Sequence, residues 1–365
     1  MRHADDLSRP LGLSATMEKG SERSRSLAVG AAVTIVSAAL FSAAALHLRE
    51  PPEAPIAVAE VTAAEPEPVI EIQPPPPDDT PVVRAGFPPN MVEVTGSLQN
   101  RTPAGLSAGL VEAGRWGLLP RIASDGTRPG DAHARPTRPG LQSRPKIAVV
   151  VGGVGLNDAV GREAVAKLPL DVTLALAPYG AGLDSLADLL RRQGRELWLQ
   201  VPMEPLDHPM TDLGPRTLVT TAGAPANIDK LHWSMSRFTG YAGVLNYRGE
   251  RMLVHEPALE PVLAEIATRG LMFAEDGPPT RSLVPALSRK LGLPTVRSDL
   301  VIDPDDRAAA VDAALAKLEA IAKKRGVAVA TATALPVTIE RLAEWSSRLE
   351  AKGIALVPLS AVARR

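Results

Sequence analysis

The chain has 365 residues, and its 40 basic and 41 acidic side chains leave a net charge of −1, which gives no reason to expect a nucleic-acid partner. It contains no cysteine, which excludes thiolate metal sites and cysteine nucleophiles without fixing the cellular compartment. Hydrophobic residues make up 45% of the chain, enough for one large core, and aromatic residues only 3%, so any surface for stacking sugars or bases must be small.

The N-terminal region predicts a membrane anchor. Residues 1–26 are polar and include several basic side chains, and residues 27–48 form an apolar run without Asp, Glu, Lys or Arg that is long enough to cross a bilayer. Because the basic residues precede this run, we expect a cytoplasmic tail, a single-pass inner-membrane anchor and a periplasmic C-terminal domain. The alternative is a cleaved signal peptide, for which the alanines at 43–45 would supply a cleavage site.

Residues 49–144 are predicted to form a disordered linker rich in Pro and Gly. Proline is concentrated in 51–89, and at this density the chain cannot form a helix or an inner strand. We therefore expect extended polyproline II structure there, acting as a spacer. Residues 90–144 remain rich in Gly, Pro and Arg and show no hydrophobic periodicity.

From residue 145 to residue 365, short apolar runs alternate with amphipathic ones. Strands are predicted at 147–151, 172–176, 196–201, 241–245, 271–274, 295–302, 327–331 and 355–357. Helices are predicted at 158–167, 182–192, 225–237, 256–268, 282–291, 305–325 and 338–351. This alternation predicts an α/β domain built on a parallel sheet, either open or closed into a barrel.

The strand predicted at 147–151 runs directly into Gly152-Gly153-Val154-Gly155. The carboxyl end of such a buried strand is where α/β folds place their chemistry. The glycines lack the GxGxxG spacing, and the chain contains no GxxxxGK[ST] motif. A tight strand-to-helix turn is therefore favoured over a nucleotide-binding site.

Several stretches carry a resemblance to a known family. They are IAVVVGGVGLN at 147–157, LPLDVTLALAPYG at 168–180, LWLQVPMEPLDHP at 197–209, LGPRTLVTTAGAPANIDKLHWSMSRFTGYAGVLN at 213–246 and ERLAEWSSRLEAKGIALVPLSAV at 340–362. On these stretches, the region from 145 to 362 resembles the divergent polysaccharide deacetylase family of the NodB-like carbohydrate deacetylase superfamily. The resemblance implies a distorted (β/α) barrel with fewer than eight regular strands, on an exported or anchored protein of the bacterial envelope.

The resemblance also implies a divalent metal such as zinc, which would polarise an acetamide carbonyl and activate water while a carboxylate acts as base. The family's positions for these groups are occupied here by Gly152, Gly153, Tyr247 and Thr333. The glycines replace a paired aspartate, and Tyr247 and Thr333 each replace a histidine. We therefore expect a degenerate site without a metal or other cofactor, and we assign no residue a catalytic role.

Polar side chains near the predicted strand ends are the candidates for lining a substrate cleft. They are Glu204, Asp207, His208, Asn246, Tyr247, Arg248, Arg251, Glu275 and Asp276. Either Glu275 or Asp276 matches an aspartate that the family carries after this strand. Arg248 and Arg251 are hypothesised to hold a carboxylate of an anionic envelope glycan, and the alternative is that both form exposed salt bridges.

Two further polar clusters have structural interpretations. Glu204, Asp207 and His208 form an acid–histidine cluster, which is interpreted as a polar loop, with a metal site as the alternative. The run Asp303-Pro304-Asp305-Asp306 is interpreted as the cap region before a helix.

Three hypotheses remain open. The first is a membrane-anchored, degenerate deacetylase-like protein that binds an envelope glycan or an envelope protein. The second is an active glycan N- or O-deacetylase whose site has moved to Glu204, Asp207, His208 and Glu275. The third is a structural envelope subunit without a ligand. Metal analysis separates the second hypothesis from the others, and glycan titration separates the first from the third.

Overall fold

The computed structural model describes residues 108–141, 143–277 and 281–364. The predicted cytoplasmic tail, the anchor at 27–48 and the linker as far as residue 107 lie outside the described residues. Within the described ranges, no helix combines the length and the apolar character needed to cross a membrane.

The described strands fall into one hairpin and one large sheet. They are β1 (Val111–Gly114), β2 (Gly117–Pro120), β3 (Lys146–Val154), β4 (Thr173–Leu176), β5 (Leu197–Met203), β6 (Gly243–Arg248), β7 (Met272–Glu275), β8 (Thr295–Arg297), β9 (Leu300–Val301), β10 (Val327–Thr333) and β11 (Ala355–Val357). Strands β1 and β2 pair antiparallel. The other described strands form a parallel sheet in the order β8-β7-β6-β5-β4-β3-β10-β9, with β11 beside the start of β3.

Helices connect the strands of the sheet, as the alternation of sequence patterns predicts. They are α1 (Pro129–Ala132), α2 (Asp158–Lys167), α3 (Leu183–Arg192), α4 (Ala224–Met235), α5 (Glu256–Thr268), α6 (Val284–Leu291), α7 (Ala308–Arg325) and α8 (Pro336–Ser347). Short 3₁₀ helices lie at Ala108–Leu110, Met252–Val254 and Leu359–Val362.

Local sequence accounts for the helix ends. The predicted bounds of α2 and α5, 158–167 and 256–268, are confirmed. The side-chain oxygen of Asn157 accepts hydrogen bonds from two backbone N–H groups in the first turn of α2. Helix α7 is capped at its carboxyl end by Gly326, whose φ of 80° lies in the left-handed region that glycine enters without steric cost.

The segment predicted as one strand at 295–302 is instead divided between the two ends of the sheet. Strand β8 pairs with β7, and β9 pairs with β10 on the opposite side of the sheet order. Between them, the Ser298 hydroxyl donates to the Leu300 carbonyl, and Asp299 accepts a hydrogen bond from the Val329 N–H. The parallel sheet curls into a half-barrel, and this matches the expected distorted (β/α) barrel.

The interior of the curled sheet is filled at the amino-terminal ends of the strands. There Val150, Trp198 and Leu359 belong to one buried apolar cluster. Below it, Glu196 Oε1 accepts hydrogen bonds from the Thr173 hydroxyl at 3.1 Å and from the Trp198 ring N–H at 3.0 Å. The backbone N–H of Ser360 donates to the same oxygen at 3.0 Å. This packing closes one end of the sheet, so the cleft lies at the other end.

Part of the predicted linker is folded, so that prediction is wrong for the described residues between 108 and 144. Trp116 of the β1–β2 hairpin stacks against the guanidinium groups of Arg115 and Arg216, each 4.6 Å from the ring centroid. Arg269 donates to the Pro120 carbonyl at 2.8 Å. The contacts with Arg216 and Arg269 join residues distant in sequence, and for this reason no local hydrophobic periodicity predicts them.

Candidate functional site

A cleft of about 1140 Å³ lies at the carboxyl-terminal ends of the strands. Residues from several strand ends line it, among them Gly153 of β3, Gln200 of β5, Tyr247 of β6, Asp276 after β7, Val301 of β9 and Thr331 of β10. This is the face on which barrels of parallel strands carry their sites. The cleft is therefore the candidate functional site.

Gln200 occupies the space next to the glycine pair at the end of β3. Its Oε1 accepts a hydrogen bond from the Gly153 N–H at 2.8 Å. A Cβ added at Gly152 would lie 2.5 Å from Gln200 Nε2, closer than any ordinary contact. A carboxylate at position 152 would therefore require the Gln200 side chain to move.

Tyr247 and Thr333, which stand where the resemblance implies histidines, also provide no imidazole. Tyr247 presents a half-exposed ring to the cleft, and its phenol is a poor substitute for a neutral imidazole. Thr333 lines the cleft, and its N–H donates to Asp303 Oδ2 at 2.7 Å. In the described part of the chain, no group of three or more His, Asp or Glu side chains could hold a metal ion. The donor set around the glycines therefore does not fit the family metal.

Two carboxylic acids, Asp276 and Asp303, lie in the floor of the cleft. Asp303 Oδ2 accepts hydrogen bonds from the Thr333 N–H and from the Thr338 hydroxyl, the latter at 3.0 Å. Burial raises the pKa of both carboxyls, and the charge of Asp303 raises the pKa of Asp276 further. The helix after Asp303 begins only at Ala308, so Asp303 belongs to the cleft and does not cap that helix.

Two buried polar atoms at this floor are unsatisfied. Asp303 Oδ1 and Thr331 Oγ1 are both inaccessible to solvent and find no hydrogen-bond partner among the described residues. Thr331 is 3% exposed and lies beside Asp276, and its hydroxyl lowers the pKa of that carboxyl although the two groups do not reach normal hydrogen-bond geometry. Buried polar atoms usually have partners, so this pair marks a place where a ligand group would be stabilised.

Apolar side chains surround the mouth of the cleft. Leu156, Leu206, Tyr247 and Val254 line it, and Leu206 is 67% exposed. Clustered exposed apolar side chains mark binding surfaces in soluble domains. Together with the acidic floor and the Gln200 amide, the cleft suits a molecule that carries both polar groups and apolar faces.

Arg248 and Asp276 are the predicted polar side chains that the structure brings together at the cleft, with Tyr247 beside them. Arg248 Nε lies 3.0 Å from Glu250 Oε1, and Arg248 Nη2 lies 3.9 Å from Asp207 Oδ1. Arg248 therefore forms the exposed salt bridges that were the alternative to carboxylate binding.

Glu204 and Arg251 are predicted to line the cleft, and this requires correction. Glu204 is buried and accepts a hydrogen bond from the Thr220 N–H, and Arg251 Nε lies 3.7 Å from it. Burial opposes ionisation of Glu204, but the hydrogen bonds from Thr220 and the charges of Arg251 and His208 outweigh it and lower its pKa. Arg251 also donates to the Leu206 carbonyl at 2.6 Å, so this pair holds the loop backbone.

Asn246 and Glu275 also fall outside the lining because alternate side chains of a strand point to opposite faces. Asn246 is buried, and its Oδ1 accepts a hydrogen bond from the Asp276 N–H at 3.0 Å. Glu275 is buried with its Oε2 3.8 Å from Arg297 Nε. These two residues support the ends of β6 and β7 from behind the cleft.

Asp207 and His208, the remaining predicted residues, lie in the loop after β5 and do not line the cleft. Asp207 Oδ2 accepts a hydrogen bond from the Thr211 hydroxyl at 2.6 Å. The ring Nδ1 of His208 is buried and has no hydrogen-bond partner in the described ranges. The acid–histidine cluster thus lies apart from the acidic floor.

Sequence reasoning missed Gln200, Thr331 and the cleft position of Asp303. Gln200 is a single amide inside the apolar strand LWLQVPM, and Thr331 is a hydroxyl inside VAVATAT. A polar side chain at such a position is a usable signal, because buried strands are otherwise apolar.

Comparisons with known proteins identify the class. Residues 149–363 match the family model described as divergent polysaccharide deacetylase. The chain is 38% identical to an uncharacterized protein from Agrobacterium tumefaciens C58, with a TM-score of 0.65 over 67% of this chain and 99% of that chain. No curated protein matches the chain in sequence. This chain belongs to the divergent polysaccharide deacetylase family.

Two more distant structures match the chain with lower scores. The catalytic domain of a peptidoglycan N-acetylglucosamine deacetylase from Eubacterium rectale ATCC 33656 is 10% identical, with a TM-score of 0.40 over 62% of this chain and 92% of that chain. A mutant of a CE4 family pseudoenzyme with restored enzymatic activity is 13% identical, with a TM-score of 0.34 over 60% of this chain and 68% of that chain.

Proposed function

We propose that this chain is a membrane-anchored deacetylase-family protein that binds a cell-envelope carbohydrate in the cleft and does not carry out the metal-dependent hydrolysis of its family. The observation that carries this proposal is the position of Gln200, whose amide fills the space beside Gly152. The family carboxylates would project from positions 152 and 153, and neither glycine offers a side-chain ligand or base.

The lining of the cleft supports a carbohydrate ligand. Sugar rings combine hydroxyl groups with apolar C–H faces, and aromatic rings stack on those faces while polar side chains bind the hydroxyls. Tyr179 and Tyr247 supply exposed rings, and Gln200, Asp276 and Asp303 supply polar groups. The low aromatic content of the chain does not prevent this, because the two rings line the same cleft.

The anchor is part of the same proposal. The apolar run at 27–48 follows basic residues, so it orients the C-terminal domain towards the periplasm, where envelope glycans are accessible. A C-terminal alkaline phosphatase fusion is expected to be active, and an inactive fusion would contradict this orientation.

Titration of the full-length protein in detergent with soluble peptidoglycan fragments tests the binding. We expect saturable binding by calorimetry and no release of acetate, whether or not a chelator is present. A Tyr247→Ala variant should bind more weakly because a stacking ring is lost. Lys290→Ala is the control, because Lys290 is exposed, pairs with Glu260 and does not line the cleft.

Each other outcome favours a different hypothesis. Acetate release that a chelator abolishes would show that a catalytic metal is held after all and would overturn the metal-free site. Acetate release that resists a chelator would support the relocated hydrolase. If neither the parent nor any variant shows saturable binding, the protein is better described as a structural envelope subunit.

A further inference from the structure

The charged groups that line the cleft are predominantly acidic. Among the described lining residues, the carboxylates of Asp212, Glu250, Asp276 and Asp303 face two guanidinium groups, those of Arg248 and Arg281. One of these two is engaged, because Arg248 Nε lies 3.0 Å from Glu250 Oε1. Asp276 and Asp303 therefore remain as two carboxylates that line the same cleft, and the charge of Asp303 raises the pKa of Asp276.

Unsatisfied buried oxygen atoms beside this pair are a second, independent sign of a ligand site. Thr331 is 97% buried, since only 3% of it is exposed, and its hydroxyl has no hydrogen-bond partner in the part of the chain that the structure describes. Asp303 Oδ1 is likewise buried, and it has no hydrogen-bond partner among the described residues. Two unsatisfied oxygen acceptors beside a second carboxylate form a site for a group that donates several hydrogen bonds.

We propose that the acidic floor binds a protonated primary amine, so that the cleft recognises a deacetylated amino sugar in preference to its N-acetylated form. An ammonium group carries three N–H donors and a positive charge, which match Asp276, Asp303 and the Thr331 hydroxyl. An acetamide carries one N–H donor, and its carbonyl oxygen would face the two carboxylates. This inference rests on the proposed function, because it names the chemical class of the carbohydrate.

The test compares two probes that differ only in the acetyl groups. The full-length protein in detergent is titrated with a tetramer of β-1,4-linked glucosamine and with the corresponding N-acetylglucosamine tetramer. We expect the amine tetramer to bind at least about tenfold more tightly, because hydrogen bonds between charged groups are stronger than those between neutral ones. Equal binding, or tighter binding of the acetylated tetramer, would overturn the inference and leave the proposed carbohydrate binding intact.

Variants assign the preference to the floor. Asp276→Asn and Asp303→Asn should each reduce the preference for the amine to less than about threefold, since each removes one negative charge. Asp305→Asn is the matched control, because Asp305 lies two residues from Asp303, pairs with Arg307 at 2.7 Å and does not line the cleft. If all three variants keep the full preference, the amine binds elsewhere and the inference is wrong.

Thr331→Val separates a ligand-binding role from a structural one. Valine has nearly the same shape as threonine and removes a hydroxyl that makes no internal hydrogen bond, so the thermal stability should stay unchanged or rise. Binding of the amine tetramer should weaken at least threefold. Loss of stability with unchanged binding would show that the hydroxyl serves the fold and would contradict the assignment of the site. If neither tetramer binds the parent, this inference and the proposed function both fail.

Discussion

The side chain of Gln200 on β5 lies in the space that a side chain at Gly152 on β3 would enter. Gln200 Oε1 accepts the Gly153 N–H at 2.8 Å, and Gln200 Nε2 lies 2.5 Å from the position of a Cβ at residue 152. The amide is thus bound to the backbone beside the glycine pair at the end of β3. The identities of residues 152 and 200 are therefore physically coupled.

This coupling predicts the stability of variants at both positions. Gly152→Ala is expected to lower the free energy of unfolding by about 1–3 kcal/mol, because the added methyl group overlaps the Gln200 amide. Combination with Gln200→Ala removes the overlap, so the double variant should be more stable than the sum of the single effects predicts. Urea unfolding of the four proteins measures this double-mutant cycle.

Gly153→Ala is the control for the cycle. Gly153 has a φ of 75°, and an added Cβ would meet nothing closer than Thr333 Cγ2 at 3.8 Å. Its substitution by alanine should lower the free energy of unfolding by about 1 kcal/mol, through backbone strain alone. The additional change Gln200→Ala should not reduce this loss. Additive effects of Gly152→Ala and Gln200→Ala would contradict the overlap.

Trp116 is expected to hold the β1–β2 hairpin on the domain. Its ring N–H donates to Asp229 Oδ1 at 3.0 Å, and its ring stacks against the guanidinium of Arg216. Trp116→Ala should destabilise the protein by about 2 kcal/mol and accelerate amide hydrogen exchange in the hairpin. Arg115→Ala, which removes an exposed partner of Asp229 and of the Trp116 ring, should change stability by less than about 1 kcal/mol. Equal effects of the two variants would be inconsistent with this prediction.

Asp276 should make stability depend on pH. Burial raises its pKa in the folded protein, so the folded state keeps its proton at pH values where the unfolded state has lost it. The contribution of Asp276 is therefore most favourable below the unfolded pKa of about 3.9 and is lost as the pH rises through the folded pKa. As the pH rises through this range, the Asp276→Asn variant should become more stable relative to the parent. Urea unfolding of both proteins from acidic to neutral pH measures this difference. A parent and variant with parallel pH profiles would exclude the effect.

Glu265 should have the opposite pH dependence. The hydrogen bond with His232 Nε2, followed by the charge of Arg269, outweighs burial and lowers the pKa of Glu265 to about 2. The resulting stabilisation is present above the unfolded pKa of about 4.3 and is lost as the pH falls towards the folded value. Glu265→Gln should therefore lower the free energy of unfolding by about 2 kcal/mol at neutral pH and by almost nothing at the acidic limit. Urea unfolding across this pH range measures the difference. If the destabilisation by Glu265→Gln does not change with pH, it arises from packing and not from the charge of Glu265.

Local sequence determined the secondary structure and the family of the domain from residue 145 onwards. Helix α2 has the predicted bounds because Asn157 caps its first turn, and capping acts over neighbouring residues only. The strand at 147–151 was recognisable because a continuous β-branched run is buried on both faces of a parallel sheet. The glycines at 152 and 153 likewise excluded side-chain ligands at the end of β3 directly, since a glycine has no side chain to contribute in any fold.

Tertiary structure alone decided which side chains reach the cleft. Glu275 and Asp276 are adjacent in sequence, yet only Asp276 lines the cleft, because the pleat and the curvature of the sheet set which one points inwards. The division of 295–302 into β8 and β9 follows from pairing with β7 and β10, which lie on either side of it in sequence. The hairpin before residue 145 is ordered by contacts with residues more than 100 positions away, such as Arg269 with Pro120. Such contacts carry no local periodicity, so a single sequence does not reveal them.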